Sequence, residues 1–119
     1  MTDGPQFTTK KRSRSTMSLS LELLRREGFI ADTCESYNFF SKRRKDLFTF
    51  GDLVGVKEGE FLIIQTTTRP HMSERWVKIK KHPASVLLLT VPGVKIEVWG
   101  WFKEANRWKC ERWNLDERT

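Results

Sequence analysis

Apolar positions divide the chain into a short series of periodic segments. Ser18 can cap a helix running through Leu19, Leu21, Leu23, Leu24 and Glu27, with the leucines on one broad face and Gly28 suited to end it. From Phe29 to Phe40 the pattern becomes extended, and the charged run SKRRKD follows. Two apolar stretches, FGDLVGV from Phe50 and FLIIQTTT to Thr68, then flank KEGE at Lys57 to Glu60, which predicts a hairpin loop. Pro70 ends the second stretch and leaves Met72 or Ser73 to begin a helix, SERWVKIKK, in which Glu74 and Lys78 are spaced to pair. Pro83 starts a shorter helical piece, Ala84 to Leu89, closed by VPG. VKIEVWGWF alternates as a strand, KEAN can turn, and RWKCERWNL completes a C-terminal hairpin.

That order, helix, three strands, one or two helices, two strands, predicts an α/β fold with a mixed central sheet of about five strands flanked by helices. The segment TKKRSRST lies in a polar, basic stretch nearly free of apolar residues, so residues 1–17 are expected to be a flexible arm and 18–119 a single domain. No internal repeat is visible.

Charge adds a partner class. The 119 residues suffice for one domain with a hydrophobic core and are too few for two. Lys and Arg outnumber Asp and Glu by 22 to 15, a formal +7, and the pI is near 9.7. Such a balance favours a polyanion, either nucleic acid or an anionic membrane surface, and charge alone does not choose. No apolar stretch approaches the ~20 residues of a membrane span, and the polar N-terminus lacks the apolar core of a signal peptide. An intracellular protein is therefore expected. Cys34 and Cys110 are too few for a disulfide framework, and with only His71 and His82 beside them nothing has zinc-ligand spacing. Both cysteines are expected to be small core residues.

The candidate chemistry lies in the central hairpin. KDLFTFGDLVGV places Asp52 alone among Phe50, Leu53 and Val54, and FLIIQTTT ends in a polar cluster. An acid at the start of one hairpin strand, a polar triplet ending the next, and the flanking elements in this order resemble the PD-(D/E)XK nuclease superfamily, in particular its small Holliday-junction-resolvase-like and phage-associated members. The resemblance covers about Leu19 to Leu115. It implies a restriction-endonuclease-like fold in which Asp52 binds metal, Gln65 takes the place of the family's Glu or Gln, and Thr67 stands where its Lys belongs. Glu22 or Glu27 is implied as the acid from the first helix.

The hairpin also has a physical reading of its own. Alternation puts Gln65 and Thr67 on one face of their strand, and an antiparallel partner can bring Asp52 beside them. Mg²⁺, or Mn²⁺ in its place, accepts hard oxygen ligands and retains several waters, so Asp52, the Gln65 side-chain oxygen, the Thr66 carbonyl and a helix glutamate such as Glu22 form a feasible site. The structural alternative is that Asp52 caps a turn near Gly51 and Gln65 satisfies a buried backbone group. Thr67 cannot supply an ammonium. Arg75 and Lys78, three apart on the following helix, share a face from which one could replace it, although such residues more often form a solvated face.

Two function classes follow. One is a metal-dependent, structure-selective DNA endonuclease, expected as a homodimer because a four-way junction has paired cleavage sites. The other is a catalytically degenerate nucleic-acid-binding or interaction protein on the same fold. For either, Lys42, Arg43, Arg44 and Lys45 lead into the Asp52 strand and are the best candidates for backbone phosphate contacts, with Lys10, Lys11, Arg12 and Arg14 of the arm as further contacts. Trp99, Trp101, Trp108 and Trp113 could stack on exposed bases, but their alternation favours packing under helices or at a dimer face. If Arg43 and Arg44 hold phosphates, changing both to Ala should flatten the slope of log affinity against log salt by about one to two units. An unchanged slope in a titration from low to moderate salt would assign them to a solvated loop.

Overall fold

A computed structural model of the chain describes residues 15–34, 36–38 and 43–115. Helix α1 spans Thr16–Arg26, three residues earlier than the leucine pattern predicts, because Ser15 rather than Ser18 caps it: Ser15 Oγ accepts the Ser18 N–H at 3.0 Å. Its end follows the glycine signal. Gly28 adopts φ 94°, its N–H reaches the Arg25 carbonyl, and the Phe29 N–H reaches that of Leu24, both at 3.1 Å. Leu24 and Phe29 are then buried in one apolar cluster, the contact that accompanies this type of helix stop.

Strands β1 (Ile30–Thr33), β2 (Ser36–Asn38), β3 (Arg43–Lys45), β4 (Leu53–Lys57) and β5 (Glu60–Thr68) precede a 3-10 turn at Arg69–His71. Helices α2 (Met72–Lys81) and α3 (Pro83–Leu88) and strands β6 (Val94–Glu104) and β7 (Arg107–Asn114) complete the order. The central sheet has five strands in the order β1-β4-β5-β6-β7, and all its neighbours are antiparallel except β5 and β6, which the α2 and α3 crossover makes parallel. The fold is thus α/β, a mixed five-stranded sheet flanked by helices in the predicted order. One addition lies between β1 and β4. The backbone of the charged run, expected as a connection, pairs Arg43–Lys45 with Ser36–Asn38 in a separate two-stranded sheet.

Alternation divides the core into two layers. Leu53, Leu62, Ile64, Trp99 and Trp101 pack under α1 with Leu19 and Leu24. Ile63, Ile96 and Val98 face the other way, onto Met72 and Ile79 of α2. The Lys57 to Glu60 hairpin forms as predicted, with Gly59 at φ 75°. Glu74 lies 3.4 Å from His71 rather than pairing with Lys78. Pro70 falls within the 3-10 turn, which delays α2 to Met72.

Close approach at Gly100 seats the start of α2 on the sheet. A Cβ at this position would collide with the Met72 side chain and lie 3.0 Å from Arg69 Cα. Gly100→Ala should therefore lower the unfolding free energy by about 1–3 kcal/mol, seen as a reduced midpoint in denaturant with unchanged slope. Met72→Ala combined with Gly100→Ala should cost less than the sum of the single changes, since the shortened side chain makes room for the new methyl.

Candidate functional site

The site begins where β4 stops and β5 continues. Leu53 pairs with Ile64, but Gln65 to Thr68 extend beyond β4 and pair only with β6. The Thr66 N–H therefore lacks a strand partner on the β4 side, and Asp52 Oδ2 accepts it at 2.9 Å. The Asp52 backbone stays tied in: its N–H donates to the Ile64 carbonyl and its carbonyl accepts the Cys34 N–H, both at 2.9 Å. The physical alternative of the sequence reading is partly realised, since Asp52 does satisfy a backbone group. That group belongs to the neighbouring strand rather than to the turn at Gly51.

A second acid, not singled out from the sequence, joins it. Leu47 and Gly51 form a bridge, with the Gly51 N–H 2.8 Å from the Leu47 carbonyl. The turn between them holds Phe48 at φ 51° and Thr49 at φ 68°, left-handed values that cost on the order of 1–2 kcal/mol for each non-glycine residue. Folding the chain back so tightly brings the Asp46 carboxyl onto that of Asp52. Burial raises the Asp52 carboxyl to about 6; the Thr66 N–H opposes the rise, the Asp46 charge adds to it, Arg75 opposes it, and a hydrogen bond from Asp46 raises it again.

Gln65 and Thr67 lie on the α2 side of the sheet, because Gln65 neighbours Val98 and Val98 belongs to the α2 cluster. Both are buried, at 5% and 6% exposure. Gln65 Oε1 is buried with no hydrogen-bond partner, and so is Arg75 Nε, on the helix covering the same side. Of the two helix cations considered, Arg75 is half-buried and acts on the Asp52 carboxyl, whereas Lys78 is exposed. An unpaired acceptor, an unpaired donor and two apposed acids are unusual in one small region, because nearly all buried polar atoms find a partner.

Thr66 faces the other way, beneath α1. Trp101 Nε1 donates to Ser20 Oγ at 2.8 Å. Ser20 Oγ and Thr66 Oγ1 are 2.8 Å apart, and Thr66 Oγ1 donates to the Thr16 carbonyl at 3.2 Å. The indole can only donate and the carbonyl can only accept, so Ser20 donates to Thr66 and the chain of hydrogen bonds has one direction. It anchors the residue whose N–H holds Asp52.

The helix acids are not brought into this group. Glu22 is on α1, on the opposite side of the sheet from Gln65, in a surface pocket with Arg26 and Trp108. Glu27 is engaged elsewhere, its carboxylate 2.8 Å from Arg112 Nη1. The expected metal ligand Glu22 is therefore corrected: α1 offers this strand end Ser20 and a backbone carbonyl, and the second acid comes from the turn before β4. Among the described residues no three His, Cys, Asp or Glu groups are placed to hold a metal ion by themselves. The oxygens available at this strand end are the apposed Asp46 and Asp52 carboxyls and, on the strand that Asp52 contacts, Gln65 Oε1 and the Thr66 carbonyl. This set fits Mg²⁺, which commonly takes only one or two carboxylates and completes its shell with water and substrate phosphate.

The other candidates divide. Arg43 to Lys45 form β3, of which only the backbone pairing is described. Lys42 and the arm residues Lys10, Lys11, Arg12 and Arg14 lie outside the described residues. Trp99 and Trp101 are core, and Trp113 packs edge-on against Trp76 at 5.7 Å; Trp108 borders the surface pocket. Both cysteines are half-buried. Burial, aided by Asp46, Asp52 and Asp32, raises the Cys34 thiol, and burial pushes Cys110 up to about 12, so neither is a nucleophile at neutral pH. No family model, curated protein or solved structure matches the chain.

The acid pair predicts a sign for pH dependence. Because Asp52 titrates near 6 in the fold and near 3.8 as a free aspartate, the folded state binds its proton more tightly. Its contribution to stability is fully present below about pH 4 and is lost as pH rises through about 6. Solvent screening at a partly exposed carboxyl reduces the effect to on the order of 1–2 kcal/mol. Denaturant unfolding in EDTA at pH 4 and pH 7 should show wild type losing this much relative to Asp52→Asn, whose amide oxygen still accepts the Thr66 N–H. A parallel pH profile for the two proteins would mean that Asp52 is not strained by ionisation.

Proposed function

We propose that this chain is a metal-dependent, structure-selective DNA endonuclease of PD-(D/E)XK type, acting on branched DNA as a Holliday-junction resolvase does. The observation that carries the reading is the apposition of Asp46 and Asp52 at the open end of β5, with Gln65 Oε1 unpaired and the Arg75 charge acting on Asp52. Asp46, Asp52, Gln65 and the Thr66 carbonyl would hold Mg²⁺, or Mn²⁺ as its substitute. Such an ion supplies charge neutralisation at a phosphodiester and acidifies a water.

The chain's own residues set the remaining chemistry. A guanidinium donates hydrogen bonds and does not serve as a base, so Arg75 would replace the family's lysine as a stabiliser of developing negative charge. Burial on the α2 side limits water around Arg75 and strengthens its attraction for a phosphate. The net charge of +7 supports a DNA partner. Symmetric cleavage of a four-way junction would call for two copies, and a nuclease of cellular DNA would work inside the cell. Among the described residues no helix is long and apolar enough to cross a membrane.

One observation favours a second reading, a non-catalytic nucleic-acid-binding protein on this fold. Thr67, buried at 6% exposure where the family has its lysine, carries no charge. Incubation of labelled branched, duplex and single-stranded DNA with Mg²⁺ or Mn²⁺ separates the two. The nuclease should give discrete products from branched DNA, and Asp52→Asn should abolish them while leaving binding intact or tighter. Arg75→Ala should lower turnover about 10²-fold, whereas Lys78→Ala should change it little. Thr67→Lys should partly rescue Arg75→Ala, since the new ammonium enters from the same side of the sheet. Absence of products from every substrate would leave the binding protein.

A further inference from the structure

On the α1 side of the sheet, Glu22, Arg26, Trp101, Arg107, Trp108 and Lys109 border a pocket of about 420 Å³. The size lies within the ~300–1,000 Å³ of small-molecule sites. Two tryptophans contribute in different ways: Trp101 is 6% exposed and held by Ser20 at 2.8 Å, whereas Trp108 is half-buried. Three cations stand against one carboxylate. A fourth, Lys103 Nζ, lies 5.2 Å from the Trp108 ring centre, and Glu104 holds Lys109 at 2.9 Å. The sharp β6–β7 turn, with Ala105 at φ 51° and Asn106 at φ 62°, sets Arg107 and Trp108 at the very start of β7.

A flat aromatic wall beside several cations suits a ligand that is both planar and anionic. We infer that this pocket takes one nucleotide of a single-stranded nucleic acid, its base against Trp108 and its backbone phosphates on Arg26 and Arg107. Bases within a duplex present only their edges, so a concave aromatic site of this size is accessible to an unpaired strand and not to a helix. The pocket is also joined to the acid pair. Trp101, on its wall, donates to Ser20; Ser20 bonds Thr66; and the Thr66 N–H holds Asp52. The inference shares with the nuclease reading only a nucleic-acid partner, and it requires no cleavage.

Fluorescence anisotropy with a labelled oligothymidylate, in EDTA so that nothing is cut, tests it. Wild type should bind, Trp108→Ala should weaken binding about tenfold or more, and Trp108→Phe should retain most of it. Arg107→Ala should reduce the salt slope by about 0.7, the value for one lost contact to a single strand. An abasic strand of equal length should bind wild type about as weakly as oligothymidylate binds Trp108→Ala. The inference is overturned if the abasic strand, a polyphosphate chain or a free mononucleotide binds wild type as tightly as the oligonucleotide. It is likewise overturned if Trp108→Ala, folded by circular dichroism, binds the oligonucleotide as wild type does, or if Arg107→Ala leaves the salt slope unchanged. Wild type assayed for both separates the two readings: oligonucleotide binding without cleavage of any substrate leaves the pocket and removes the nuclease, and cleavage without oligonucleotide binding does the reverse.

Discussion

Strand β5 outruns its neighbour β4, and the first backbone donor left over is the Thr66 N–H. A carboxylate, Asp52, takes it at 2.9 Å. Hydrogen bonds to charged groups contribute about 1.5–3 kcal/mol, more than a neutral ladder bond, so this contact closes the sheet end firmly. It also fixes a charged oxygen at a place where the two strands have parted and the helices on either side do not meet. The rest of the candidate site is arranged around that oxygen. Arg75 approaches from α2, Asp46 from the turn before β4, and the Ser20–Thr66 contact secures the strand from the α1 side.

Holding the two acids together is unfavourable in the isolated chain. Two left-handed non-glycine residues, Phe48 and Thr49, force the turn, and burial with like charge lifts Asp52 towards neutrality. Gln65 Oε1 and Arg75 Nε add buried polar atoms without partners. Among the described residues the third such atom, Ser85 Oγ, lies on α3, and the other left-handed non-glycine pair, Ala105 and Asn106, is in the β6–β7 turn.

The two faces of the sheet serve different ends. Gln65, Thr67 and Arg75 belong to the α2 side, where a cationic group meets the acids. Thr66, Ser20 and Trp101 belong to the α1 side and form a directed run of hydrogen bonds that ends on the Thr16 carbonyl. Because adjacent strand residues point to opposite faces, the triplet of Gln65, Thr66 and Thr67 contributes to both. A polar triplet at the end of an apolar strand is thus divided between a candidate reaction site and its anchor.

Element order, the hairpin at Lys57 to Glu60 and the helix stop at Gly28 were all legible in the amino-acid sequence, because each depends on periodicity or on local backbone preference. So was the choice of Arg75 or Lys78 as helix cations, though not which of them turns inwards: both lie on one helical face, and only the packing of α2 on Gly100 decides that Arg75 is covered and Lys78 exposed. Asp46 was hidden at the end of a basic run, and the turn that delivers it has Phe48 and Thr49 where turn chemistry would place Gly or Asn. Glu22 illustrates the converse. Its spacing on α1 is compatible with a site residue, but the strand's alternation places Gln65 on the other side of the sheet. Local sequence determines which elements form and which way each side chain points along them; which acids, cations and carbonyls meet is decided by the register of β4 on β5 and by the face on which each helix packs, quantities that exist only once the chain is folded.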